Sequence, residues 1–120
     1  MGLTAFYQAG NARFTFNVHP AAAPGPDGPG IYMFTTFNVL ANAYTIHYVG
    51  QSESVFERLS SHERWAEARA RGMTHVLRLT VENSLQRDEV EKLLIKSINP
   101  PMNTIHRPAP AGIFGFQVRR

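Results

Sequence analysis

A chain of 120 residues and 13.4 kDa has the length of one domain, and 43% hydrophobic content is enough for a buried core. It contains no cysteine, which excludes disulfides and thiolate metal sites, and no uninterrupted apolar run of the length a membrane-spanning helix needs. Twelve Lys and Arg against nine Asp and Glu give a net charge of +3, a balance that suits an anionic partner such as nucleic acid without demanding one. The first residues carry no basic region followed by an apolar core, so a cytoplasmic location is expected.

In chain order, Arg13 to Val18 alternates with Phe14, Phe16 and Val18 on one face, as a half-buried strand does. Residues 21–29 are Ala, Pro, Gly and Asp, a composition that reads as a surface linker. Ile31 to Phe37 and Tyr44 to Val49 are rich in β-branched and aromatic residues and predict an antiparallel hairpin with its loop at Asn38 to Asn42. Ser54-Val55-Phe56-Glu57 has the form of a capping box, predicting one helix that runs to Arg71 and stops at Gly72. Thr74 to Val81 alternates as a third strand, and Asn83 or Ser84 caps a second helix that Pro100 and Pro101 end after Ile98. Beyond a Pro-rich stretch, Ile113, Phe114, Phe116 and Val118 suggest a last strand or packed arm.

The expected fold is therefore α+β: a ββαβα core with a small antiparallel or mixed sheet flanked by helices. A single domain spans 1–120, with its core at 29–103. An extra N-terminal strand and linker occupy 1–28, and a C-terminal arm occupies 104–120.

Helical wheels isolate three polar residues. Val55, Leu59, Ala66 and Ala70 form the apolar stripe of the first helix, and Arg58 and His62, one turn apart, fall on its flank rather than with the solvated residues. Each has a plain structural explanation: Arg58 can snorkel to the edge, and His62 can be a satisfied core histidine. In the second helix Glu91 lies inside the apolar arc of Val90, Leu93, Leu94, Ile95 and Ile98. A carboxylate there either pairs with a cation such as Arg58 or Arg78 or ligates a metal. No phosphate-cradling Gly-rich loop, zinc spacing or nucleophile elbow is present, and His19, His47, His75 and His106 read as structural or surface residues.

Gly30-Ile31-Tyr32, Tyr48-Val49-Gly50, Arg58, His62, Glu91 and Asn103, in that order, resemble the GIY-YIG endonuclease superfamily over residues 29–103. Arg58 follows Tyr48 by ten positions and Asn103 follows Glu91 by twelve, as in that family. The gap between the two tyrosine motifs is longer than usual, and Gln51 stands where some members carry a lysine. The resemblance implies a DNA endonuclease or nickase that hydrolyses phosphodiester bonds with one divalent ion, Mg²⁺ or Mn²⁺. Glu91 would ligate the metal, and Tyr32 would act as general base or hold the attacking water. Arg58 would bind the scissile phosphate, and Tyr48 and His62 would orient the reacting groups. Gly30, Gly50 and Asn103 would brace the site. A non-catalytic nucleic-acid binding module is the alternative, and the N-terminal strand with Phe114 and Phe116 offers an edge for a homodimer.

Overall fold

The computed structural model describes residues 2–104. It contains β1 (Leu3–Ala9), β2 (Ala12–Pro20), β3 (Gly30–Asn38), β4 (Ala43–Ser52), α1 (Val55–Ser60), α2 (Trp65–Ala70), β5 (His75–Thr80) and α3 (Ser84–Ile98). The strands form one five-stranded sheet in the order β1-β2-β5-β3-β4, and every neighbouring pair is antiparallel.

This overturns the expected ββαβα core. The N-terminal region supplies two strands instead of one, and they are not an appendage. Asn17 to Pro20 of β2 pairs with His75 to Arg78 of β5, so β5 lies between the first hairpin and β3. The product is a curled antiparallel sheet, a half-barrel, carrying three short helices. The expected C-terminal arm lies outside the described residues.

β3 has both faces covered. Ile31 and Met33 join Phe16, Val18 and Leu77 in a core closed by Leu94, Ile95 and Ile98 of α3. Tyr32 and Phe34 point the other way, into a second core with Val55, Leu59, Ala68 and Met73. This is why every residue from Gly30 to Thr35 is buried, where a strand with one wet face would alternate.

Two details of the helices differ from expectation. Ser54 precedes α1, but its side chain makes no capping bond. The first N–H groups of α1 go instead to the carbonyl of Gly28 at 2.9 Å and the carboxylate of Asp27 at 3.1 Å. The stretch expected to be a linker is thus the cap, and Arg78 fastens it by donating to the Pro24 carbonyl at 2.9 Å. The predicted long helix is also broken at residues 61–64, between α1 and α2. There the Nδ1 atom of His62 takes the backbone N–H of Arg64 at 3.0 Å, a side-chain bond that competes with helix continuation. α3 follows the sequence closely. Asn83 accepts from the Gln86 N–H, and Asn99 ends the helix in the left-handed conformation at φ 54° before Pro100.

Candidate active site

The hairpin of β3 and β4 sets the two tyrosines. Tyr32 faces Gly50 across the ladder, and Phe34 faces Tyr48. A Cβ at position 50 would stand 2.5 Å from the Tyr32 phenol oxygen, so only glycine leaves that ring its place. Gly30 is held to the same size by the Leu79 carbonyl oxygen, which a Cβ there would strike. A bulge in β4 between the Phe34 and Thr35 pairs inserts His47, whose ring bonds the Thr36 hydroxyl at 2.7 Å.

His62 enters this aromatic layer from the break between α1 and α2. Its ring lies edge-on to Tyr32, Phe34 and Tyr48, at centroid distances of 5.6, 4.9 and 5.2 Å. The hydrogen bonds decide its tautomer. Nδ1 accepts the Arg64 N–H, so the proton resides on Nε2, which donates to the Tyr32 oxygen at 2.8 Å. Burial, with the Arg58 charge, lowers the pKa of His62 to about 4, and the ring is neutral at pH 7. Burial and the neighbouring Tyr48 raise that of Tyr32 well above its ordinary value. Tyr32 is only 1% exposed, so its oxygen has no direct route to bulk water.

Tyr48 is the tyrosine that meets solvent. With Glu63, Arg64, Glu91, Ile95 and Asn103 it lines a cleft of about 290 Å³. Burial raises its phenol pKa, against a lowering by Arg58. Glu91 reaches this cleft from α3, half-buried, and accepts a hydrogen bond from Gln51 Nε2 at 3.2 Å. Asn103 accepts the Val49 N–H at 2.9 Å and donates to the Val49 carbonyl at 2.8 Å, pairing the outer edge of β4 as another strand would. A larger hollow of about 590 Å³ lies on the α3 face beneath β1, but its lining carries no charged side chain.

Arg58 is engaged. Its two terminal nitrogens bind both carboxylate oxygens of Glu63, at 2.9 and 3.0 Å. That charged hydrogen bonding pulls the Glu63 pKa down to about 2, so both partners are charged through the neutral range. The cation expected to meet a phosphate therefore holds an internal carboxylate. Arg78, the other cation considered as a partner for Glu91, is bound to the linker.

Of the eight residues singled out from sequence, Tyr32, Tyr48, His62 and Gly50 form one packed group, and Glu91 and Asn103 share a cleft with Tyr48. Arg58 adjoins them through Glu63, and Gly30 secures β3 against β5. Two participants escape sequence reading: Glu63, which claims Arg58, and Arg87, which holds Gln51; Gln51 stood out only as a departure from the family pattern, not as a donor to Glu91. Glu63 carries no signal in the sequence. Arg87 lies one turn before Glu91, but an arginine in a first helical turn reads as solvated.

Among the described residues no group of three or more His, Asp or Glu side chains converges as in a closed metal cage. Glu91 beside Tyr48 fits a less demanding seat. Mg²⁺ is commonly held by one or two carboxylates, with water and substrate phosphate supplying the remaining oxygens.

No family model, curated protein or solved structure matches this chain. No described helix is long and apolar enough to cross a membrane.

Proposed function

We propose that this protein is a metal-dependent DNA endonuclease or nickase, a hydrolase of phosphodiester bonds related to the GIY-YIG superfamily. One observation carries the reading: Tyr48 and Glu91, far apart in sequence, wall the same solvent-open cleft, with Arg58 tied to the Glu63 of that wall. A phosphodiester needs charge neutralisation on its non-bridging oxygens, an oriented water, and a way to stabilise the departing oxygen.

Arg58 presents a planar, two-pronged cation that already grips one oxyanion in bidentate fashion, and a phosphate offers the same pair of acceptors. Tyr48 borders the cleft and orients the attacking water through its phenol. Tyr32 and His62 form a neutral, buried pair behind it and fix the direction of its ring. Glu91 would hold the divalent ion. When bound, Mg²⁺ or Mn²⁺ supplies a Lewis acid that draws charge from the phosphate oxygens.

The test is nicking of supercoiled plasmid in Mg²⁺ or Mn²⁺. Wild type is expected to cut, and Glu91→Ala, which removes the carboxylate that would hold the metal, to lose cutting. Equal cutting by the variant would remove Glu91 from the chemistry.

A second reading, a nucleic-acid binding module that does not cut, draws on the closed Arg58–Glu63 pair and the sealed Tyr32. Tight, strongly salt-dependent DNA binding with no cleavage in either metal would favour it.

A further inference from the structure

Gln51, the residue immediately after Tyr48-Val49-Gly50, connects a buried arginine to the carboxylate of the cleft. Arg87 is 4% exposed, and its Nη1 donates to the carbonyls of Val81 at 3.1 Å and Glu82 at 3.0 Å. Its Nε donates to Gln51 Oε1 at 3.1 Å. An arginine has no acceptor, so the oxygen of the Gln51 amide is the atom that must face it. The amide nitrogen consequently faces the other way, where its two hydrogens meet Asp88 Oδ1 and Glu91 Oε1. Asp88 and Glu91 lie one turn apart on α3, and both are acceptors.

We propose that Gln51, oriented by Arg87, is the positioning residue that sets the plane of the Glu91 carboxylate for a divalent cation. This rests on the reading of Glu91 as the metal seat. A lysine at this position would approach the carboxylates as a cation and compete with a metal for them. The glutamine amide binds the same carboxylates without cancelling their charge. Arg87 makes the arrangement directional: no rotation of the amide can turn its oxygen towards Glu91 without confronting Arg87 with a second donor. Metal-ligating carboxylates generally depend on such outer hydrogen bonds for their orientation.

The experiment uses the full chain and Mn²⁺ alone as the probe, with free Mn²⁺ read by electron paramagnetic resonance. Gln51→Met keeps the side-chain length and removes the amide. It is expected to weaken Mn²⁺ binding by about ten- to a hundredfold, with cleavage restored at saturating Mn²⁺. In wild type, the Gln51 side-chain amide signals are expected to broaden at sub-stoichiometric Mn²⁺. If Gln51→Met binds Mn²⁺ within twofold of wild type while Glu91→Ala does not bind it, Glu91 does not depend on Gln51. The inference then fails and the nuclease reading survives. If Glu91→Ala binds Mn²⁺ as tightly as wild type, the metal seat itself is wrong and both fall. Should Gln51→Met prove unfolded by circular dichroism, the wild-type amide decides: signals that stay sharp overturn the inference.

Discussion

At the scale of single residues, two charge states stand out, one at the wall of the cleft and one in the aromatic layer behind it. The first belongs to the Arg58–Glu63 pair. On the proposed nuclease reading, an incoming phosphate would have to take both guanidinium prongs from a carboxylate that stays ionised down to about pH 2. Glu63→Gln weakens that competitor and is expected to lower KM for DNA about two- to fivefold with kcat little changed, measured by steady-state nicking. A rise in KM would show that Glu63 assists binding instead of opposing it. The second belongs to His62, whose folded pKa of about 4 lies below its ordinary 6.5. Between those values the unfolded chain binds the extra proton, so stability rises with pH. The His62 contribution is complete above pH 6.5, is lost as pH falls towards 4, and amounts to at most about 3 kcal/mol. Burial lowers the pKa of His47 and His19 as well, so the clean measurement is a difference. The stability gap between wild type and His62→Gln, from urea titrations, is expected to narrow from pH 6.5 to 4. A constant gap would mean that the ring does not titrate with folding.

At the scale of elements, the helices on the tyrosine side owe their form to side chains outside them. α1 is a helix of 6 residues, too short to persist alone, and a distant loop satisfies its first N–H groups. Asp27→Ala is expected to cost about 0.5–2 kcal/mol in thermal or chemical denaturation, and Ser54→Ala close to nothing, the reverse of what a capping box would give. The break before α2 works in the same way. His62 spends Nδ1 on the Arg64 N–H, which stops the helix and turns the ring into the aromatic layer. The feature that spoils a long helix is therefore the feature that brings His62 to Tyr32. α3, with 15 residues and its own caps, needs no such help.

At the scale of the whole molecule, the first hairpin is structural. Without β2, the outer edge of β5 from His75 to Arg78 would lose its ladder, and Phe16 and Val18 would leave the core beneath α3. An unpaired, largely apolar edge favours aggregation. A fragment starting at residue 29 contains every residue singled out for the site, yet it is expected not to fold. Its amide NMR spectrum should be collapsed or its yield insoluble beside the full chain. A well-dispersed spectrum from that fragment would restore the smaller core that the motif order suggests.

The sequence by itself determined what a window of ten or fifteen residues can hold. It located the tyrosine hairpin, the alternation of Phe14, Phe16 and Val18, and α3 between Asn83 and Asn99. In each case local propensity, periodicity and end signals agree. Even β1 leaves a local trace, since Gly10-Asn11 is a two-residue turn between Leu3–Ala9 and Ala12–Pro20. The tertiary structure alone decided the sheet order, the cap from Asp27, the partner of Arg58 and the burial of Arg87. Those outcomes depend on which distant groups satisfy a donor or cover an edge. Helical spacing placed Arg58 and Glu91 on their faces, but an arginine binds the carboxylate that arrives at the right distance and angle. Here that carboxylate is Glu63, five residues on and inside a break in the helix that periodicity did not signal.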